Sequence, residues 1–132
     1  MKIARKIGGG APNGAVFKSR RRTGEILRPN APGRDPIVTR ILWLKGTEYQ
    51  NRNAYRRYIY IHGTPEEWRI GTPASYGCIR MKSRDIIDLY RRVRVGTPVT
   101  VTLEYLPDNV AREIARGGSL AVRAGPSPVR VR

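Results

Sequence analysis

Apolar residues cluster in short runs whose spacing predicts a mainly β protein. The segment "IVTRILWL" (37–44) is β-branched and apolar, which predicts a buried strand, and "YIYI" (58–61) predicts another. "AVFKSR" (15–20) is a candidate short strand, and "TPVTVTLEYL" (97–106) alternates as a half-buried strand does. In that last segment one face would carry Val99, Val101 and Leu103, and the other Thr100, Thr102 and Glu104.

One segment has helical rather than strand periodicity. In "KSRDIIDLYRRV" (82–93), apolar residues recur at 3.6-residue spacing, and Ser83 is placed to cap the first turn, which Asp85 also suits. Gly96 is placed to stop the helix. The apolar stripe comprises Ile86, Leu89, Tyr90 and Val93. Since strands outnumber helices, the sequence predicts a mostly β fold with one main helix.

Segments rich in glycine and proline divide the chain. Residues 23–36, "TGEILRPNAPGRDP", and residues 62–75, "HGTPEEWRIGTPAS", are predicted to be loops. We expect an N-terminal segment at 1–10, a single folded domain at 11–106, and a basic tail at 107–132. In the tail, Asp108 would cap a short helix, and the chain beyond Gly117 is expected to be disordered.

Charge adds a preference for anionic partners. The 132 residues include 26 Lys and Arg against 10 Asp and Glu, a formal net charge of +16. Nucleic acid, anionic lipid and anionic cell-wall polymer would all be attracted. The arginines are spread over several clusters rather than one basic helix, which favours general surface charge over specific nucleic-acid recognition. No apolar run reaches the roughly 20 residues that a membrane span needs, and the N-terminus lacks the apolar core of a signal peptide.

A single cysteine and a single histidine narrow the candidate chemistry. One cysteine forms no internal disulfide, and one of each is too few for a four-ligand zinc site, so neither a metal nor a cofactor is expected. His62 closes the "YIYI" segment, and Cys78 follows 16 positions later (78 − 62) across the Gly/Pro-rich loop. Each lies beside a glycine, and an imidazole close to a thiol increases its nucleophilic fraction.

Spacing alone leaves other interpretations open. A lone cysteine is among the most often buried residues, and a lone histidine is more often a packing residue than a catalyst. Tyr58 and Tyr60, on one face of the predicted strand, are expected to pack rather than to recognise a ligand.

The segment around these two residues resembles one family. "IHGTP" (61–65) followed by "IGTPASYGCIRM" (70–81) resembles the signature of the L,D-transpeptidase catalytic domain, also called the YkuD domain. The resemblance continues more loosely through Asp85 and "GTPV" (96–99), and "APNGAVF" (11–17) resembles the family's Pro-Gly turn. It implies a β-sandwich-like fold with a helix after the cysteine. Further strands upstream would be expected, and only about ten residues precede the Pro-Gly turn here.

The resemblance also implies a mechanism on peptidoglycan stem peptides. Cys78 would attack the carbonyl before the terminal D-alanine, His62 would act as general base, and the Gly63 carbonyl would orient its ring. Backbone N–H groups of Tyr76, Gly77 and Cys78 would form the oxyanion hole. Ser75 would brace the loop, and Arg80 would meet a substrate carboxylate. An amine would then resolve the thioester.

Two other function classes remain open. A cysteine carboxypeptidase or amidase would share the nucleophile but transfer the acyl group to water. A non-catalytic module that binds anionic cell-wall polymer or nucleic acid would depend on the +16 charge and leave Cys78 idle. The family resemblance implies a location in the bacterial cell envelope and a role in cell-wall biogenesis and cell shape.

Overall fold

A computed structural model describes residues 1–72 and 77–101, together with the backbone of residues 120–124 and 127–131. Strands predominate, as the sequence predicts, and one α-helix accompanies them. The elements are β1 (Lys2–Ile7), β2 (Ala15–Lys18), β3 (Arg21–Ile26), β4 (Ile37–Lys45), β5 (Tyr60–Gly63), β6 (Ile79–Met81), α1 (Ser83–Arg92), β7 (Val99–Val101), β8 (Leu120–Ala124) and β9 (Ser127–Val131).

The apolar strand β4 organises the main sheet. β2 and β1 pair with its two halves along one edge, β5 pairs with the other edge, and β3 lies outside β2. All of these pairs are antiparallel, whereas β6 is parallel to β5. A parallel pair needs a long crossover, which is why the chain between β5 and β6 leaves the sheet. A second sheet has the order β7-β9-β8.

The two faces of the main sheet bury different side chains, because successive residues of a strand point to opposite faces. One face packs against α1 and is aliphatic. The apolar cluster on this side, which includes residues of α1 and of β7 as well as of the sheet, comprises Ile3, Leu42, Leu44, Ile61, Ile79, Met81, Ile86, Leu89, Val93 and Val99. The opposite face is richer in aromatic rings. It contains Ala11, Ala15, Phe17, Ile41, Trp43 and Tyr60, with Tyr55 and Cys78 packed against them.

A bulge in β4 ties three parts of the fold together. The register with β5 shifts between Val38 and Ile41, and Thr39 has a φ of +76°. The Thr39 hydroxyl accepts a hydrogen bond from the Gly14 N–H (3.0 Å) and lies 2.6 Å from the Ser83 hydroxyl. The buried Arg40 donates to the Ala11 carbonyl at 2.8 Å. The bulge therefore fixes both the segment before β2 and the start of α1.

The helix begins one residue away from the expected cap. Ser83 is the first helical residue, and its N–H donates to a carboxylate oxygen of Glu67 at 2.8 Å. The Ser83 hydroxyl is engaged by Thr39 instead, so the expectation that Ser83 caps the helix was wrong. The predicted apolar stripe is confirmed, since Ile86 and Leu89 are buried.

Several strands differ from the expectations. β3 occupies part of the segment predicted as a loop. Its residues are all exposed and mostly polar, and they form a strand because they pair with β2 in a hairpin. β5 begins two residues later than predicted, since Tyr58 has a φ of +56° and lies in the preceding turn. β1 lies within the segment 1–10 that was placed before the domain, and it pairs with β4 over five positions.

The C-terminal segment also differs in part. Disorder was expected beyond Gly117, whereas the backbone of 120–124 and 127–131 forms the antiparallel pair β8 and β9. Branched apolar residues stand two positions apart in each segment, Leu120 and Val122 in "LAVRA" and Val129 and Val131 in "SPVRV", which suits such pairing. The predicted positions of Leu103 and Glu104 and the short helix at Asp108 lie outside the described residues.

In the described part of the chain, α1 is too short and too polar to cross a bilayer, and no other α-helix is present.

Candidate active site

His62 lies in β5 with its ring on the aromatic face of the sheet. Its neighbours Ile61 and Gly63 point toward α1, so strand alternation directs His62 the other way. The ring is buried, and Nδ1 lies 2.7 Å from the carbonyl oxygen of Gly63. A carbonyl oxygen only accepts, so Nδ1 carries the proton and Nε2 is left with its lone pair. This is the tautomer that a general base at Nε2 requires.

The surroundings of His62 favour its neutral form. Burial lowers the pKa of His62, which the hydrogen bond to Gly63 and the charge of Asp35 oppose, while the charge of Arg80 lowers it further. A neutral imidazole at neutral pH is able to accept a proton.

Cys78 lies on the same face as His62. The pairs Ile61 with Ile79 and His62 with Arg80 set the parallel register, which places Cys78 beside Tyr60. Tyr60 and His62 are two residues apart and face the same side. Strand spacing then puts the Cα atoms of Cys78 and His62 about 8 Å apart, a gap that the two side chains are long enough to span.

The thiol of Cys78 is partly buried and polarised by backbone groups. Its Sγ donates to the carbonyl oxygen of Tyr58 at 3.4 Å. Burial raises the pKa of Cys78, and a hydrogen bond with the backbone of Tyr60 lowers it in opposition. With its pKa raised, the group is a protonated thiol at neutral pH and needs a base to become a thiolate.

Gly77 has the backbone freedom that the turn before Cys78 requires. Its φ is +112°, a conformation that glycine adopts readily and other residues rarely do. A Cβ at this position would also lie 2.9 Å from the Cδ1 of Ile59. Two other predicted site residues, Ser75 and Tyr76, lie outside the described residues.

Arg80 is engaged by an acidic residue that the sequence analysis did not single out. Its Nη1 donates to Oδ2 of Asp35 at 2.8 Å, and the Arg80 side chain is only 7% exposed. The other Asp35 oxygen accepts from the hydroxyl of Thr64, one residue after Gly63. The carboxylate that Arg80 meets in this structure is therefore Asp35, which ties the loop before β4 to both β5 and β6. The only local signal for Asp35 was an acid in a loop of a strongly basic chain.

Within the described residues, no three His, Cys, Asp or Glu side chains lie close enough together to hold a metal ion.

A match to a family profile shows to which protein family the chain belongs. The profile of the L,D-transpeptidase catalytic domain, YkuD, matches residues 2–101, which include β1 through β7. The chain belongs to the L,D-transpeptidase catalytic-domain family. The match starts within the N-terminal segment, so β1 falls inside the region shared with this family.

Curated relatives are similar to this L,D-transpeptidase domain over a shorter segment. The chain is 43% identical over 46 residues to the putative L,D-transpeptidase YqjB of Bacillus subtilis, covering 35% of this chain and 26% of that protein. It is 43% identical over 47 residues to the putative L,D-transpeptidase YkuD of Bacillus licheniformis, 36% and 28% of the two chains. With the probable L,D-transpeptidase YbiS of Escherichia coli K12 it shares 44% over 43 residues, 33% and 14%.

The matched segment spans less than a third of the length of these relatives. No solved structure matches the chain.

Proposed function

We propose that this chain is a cysteine-dependent L,D-transpeptidase that acts on peptidoglycan stem peptides. One observation carries the proposal: the Gly63 carbonyl holds Nδ1 of His62, so that Nε2 is the proton acceptor on the sheet face that also bears Cys78. Membership of the family supplies the substrate class, and the site supplies residues suited to acyl transfer.

The reaction begins with the proton of Cys78. Because burial raises the pKa of the thiol and lowers that of His62, the resting pair is neutral rather than an ion pair. As the sulfur attacks the carbonyl carbon before the terminal D-alanine, Nε2 takes the thiol proton. The carbonyl oxygen becomes an oxyanion, which we assign to the backbone N–H groups of Tyr76, Gly77 and Cys78.

Collapse of this intermediate completes the first half. The carbon–nitrogen bond breaks, the imidazolium returns its proton to the departing amine, and D-alanine leaves while a thioester remains on Cys78. In the second half an amine attacks the thioester, His62 removes its proton, and the thiol is restored. Ser75 braces the loop before the nucleophile, and Arg80 belongs to the substrate-binding part of the site, with Asp35 holding its guanidinium in place.

The proposed setting is the bacterial cell envelope, where the substrate occurs. A surface with net charge +16 favours approach to anionic cell-wall polymers through long-range attraction. Because that attraction is screened by salt, association with the wall should weaken as ionic strength rises.

The first test is acylation by a carbapenem, whose strained carbonyl forms a stable acyl product with a reactive thiol. Intact mass spectrometry of the parent chain should reveal one drug-sized adduct. Cys78→Ala should abolish it, and His62→Gln should slow it by about a hundredfold or more, the usual worth of a general base. Circular dichroism of each variant checks that it is folded. A folded parent without an adduct would contradict the proposal and favour a binding module.

A second assay distinguishes transfer from hydrolysis. A stem tetrapeptide ending in D-alanine is incubated with the chain, with and without an amine acceptor. Release of D-alanine with a cross-linked product identifies a transpeptidase. Release with only the shortened peptide, even at high acceptor concentration, identifies a carboxypeptidase.

A further inference from the structure

A group of aromatic side chains lies directly beside the nucleophile. Trp43 stacks on Tyr55 with ring centroids 4.1 Å apart, and Tyr60 meets Trp43 edge-on at 5.6 Å. Tyr58 lies 5.8 Å from Trp43, and its carbonyl accepts the hydrogen bond from Cys78. We call Trp43, Tyr55, Tyr58 and Tyr60 the aromatic wall. Cys78 packs against it, so any acyl group delivered to the sulfur passes close to these rings.

Arg20 is held against this wall by several contacts. The guanidinium carbon of Arg20 lies 5.0 Å from the ring centre of Trp43 and 4.9 Å from that of Tyr58. Its Nη1 donates to the hydroxyl of Tyr60 at 3.3 Å. Contacts with three rings orient this guanidinium although the residue is partly exposed. Orientation in advance reduces the entropy lost when such a group binds a ligand.

The conformation of the hairpin turn does not explain why position 20 is an arginine. Lys18 pairs with Arg21, so Ser19 and Arg20 form a two-residue hairpin turn, with φ of +48° and +65°. Turns with positive φ at both central residues favour Asn and Gly, which adopt this conformation at little cost. Residues held in sparsely populated backbone regions cluster at functional sites.

The chemistry of Arg20 suits a carboxylate. A guanidinium has five N–H donors in a planar fork that matches the two oxygens of a carboxylate, and the hydrogen bond to Tyr60 uses one of them. Arg80 is only 7% exposed and donates one N–H to Asp35, so its guanidinium is less accessible to a ligand than that of Arg20. Arg5 also lies over the Trp43 ring, at 5.7 Å, but this is its one contact with the wall, whereas Arg20 contacts Trp43, Tyr58 and Tyr60.

We propose that Arg20 and the aromatic wall form a subsite for the terminal carboxylate of the acyl-donor peptide. This inference rests on the proposed function. Tyr60 connects the two ends of the subsite, because its backbone interacts with Cys78 and its hydroxyl with Arg20. The Cys78 thiol and the Arg20 guanidinium are therefore separated by about the length of one tyrosine side chain. This separation suits a ligand whose carboxylate is on the residue directly after the scissile carbonyl. The leaving D-alanine carries its carboxylate there.

Binding without chemistry provides the test. In a Cys78→Ala background, two stem tetrapeptides are titrated, one with a C-terminal carboxylate and one with a C-terminal amide. The indole N–H signal of Trp43 is followed by NMR and assigned with Trp68→Phe. The carboxylate peptide should bind about 10 to 100 times more tightly, the range that corresponds to one charge-assisted hydrogen bond.

Neighbouring arginines offer a matched control. Arg20→Gln should reduce the ratio of the two dissociation constants to about one, and Arg20→Lys should keep only part of it, because an ammonium has no planar fork. Arg22→Gln removes the same charge from an exposed position of β3 and should leave the ratio unchanged. A ratio that survives Arg20→Gln, or that falls equally in Arg22→Gln, would overturn the inference.

Failure of this subsite is distinguishable from failure of the proposed function. Acylation by the parent chain combined with no carboxylate preference would overturn the subsite and keep the transpeptidase. A carboxylate preference that depends on Arg20, in a chain that forms no acyl product, would keep the subsite and overturn the transpeptidase. Absence of binding by both peptides would overturn the subsite.

Discussion

The two faces of the main sheet are built from the same strands and differ in the kinds of side chain that they carry. Toward α1 the strands present aliphatic side chains that fill space. On the opposite face, His62 of β5 and Arg80 of β6 together with Cys78 present an imidazole, a guanidinium and a thiol, on the side that also carries the aromatic rings. The difference teaches that a three-residue or four-residue strand suffices to hold reactive groups, provided that its other face is anchored in a close-packed layer.

Gly63 is where the two faces are most tightly coupled, so Gly63→Ala should have the largest effect. A Cβ there would lie 2.4 Å from the Val38 carbonyl oxygen and 3.3 Å from Ile86, and the Gly63 carbonyl also holds His62. We expect a loss of about 3–5 kcal/mol in the free energy of unfolding. Chemical denaturation measures this loss.

Gly24→Ala is the control for this substitution. A Cβ at Gly24 has nothing within 4 Å, although its φ is +88°, so only backbone strain is added. A loss of about 1 kcal/mol is expected. Equal losses at Gly63 and Gly24 would contradict the steric explanation.

Ile86→Ala tests the aliphatic face alone. Ile86 is fully buried between α1 and the sheet, and its truncation should cost about 3 kcal/mol through lost burial and a cavity. The rate of carbapenem acylation, measured well below the unfolding temperature, should change less than twofold. A large fall in rate in the folded variant would show that the two faces are not separable.

Asp35→Asn tests the face of the sheet that carries His62, Cys78 and Arg80. The variant leaves the buried guanidinium of Arg80 without its counter-charge, and a loss of about 2 kcal/mol is expected because Asp35 is itself 29% exposed. Glu25→Gln removes a carboxylate from an exposed pair with Arg34 and should have little effect on stability. If both variants unfold at the same denaturant concentration, the Arg80 pair has no special role.

The smallest expected effect is a pH dependence from His62. Since burial lowers the pKa of His62 in the folded state, the unfolded chain binds a proton first on acidification. Stability should therefore fall as pH drops below about 6.5, with a slope of at most about 1.4 kcal/mol per pH unit. Urea denaturation between pH 7.5 and 5.5 measures it, and His62→Gln should remove the slope.

The same residue gives a direct check by NMR. His62 is the only histidine of the chain, so its ring proton signal is unambiguous. Its titration midpoint should lie below the ordinary value of about 6.5. A midpoint above that value would contradict the neutral-base assignment.

Sequence patterns predicted the elements whose reasons are local. The apolar run of β4 and the helical spacing of Ile86 and Leu89 reflect burial, and both are confirmed. β3 was missed because all six of its residues are exposed, and β1 because its residues do not alternate cleanly. Neither strand has a pattern that distinguishes it from a loop without its partner.

The candidate site shows the same division. His62, Cys78 and Arg80 were singled out because they lie in a short segment with a specific order of residue types. Asp35 and Arg20 were not singled out, since each acquires its role from residues 45 and 40 positions away. The sequence analysis also did not predict that the Glu67 carboxylate, rather than the Ser83 side chain, accepts a hydrogen bond at the start of the helix. The cause is the same, because this contact is made across the fold.

The pairing of β1 with the chain before and within β7 brings two distant parts of the chain together. The Met1 carbonyl accepts from the Val99 N–H at 2.7 Å, and the Ile3 N–H donates to the Thr97 carbonyl at 2.9 Å. Positions about a hundred residues apart are thus adjacent. For a segment that comprises residues 1–101, a short linker between its two ends would allow circular permutation, with new termini opened in an exposed loop. The same geometry would let this segment be inserted as a module into a surface loop of an unrelated carrier protein.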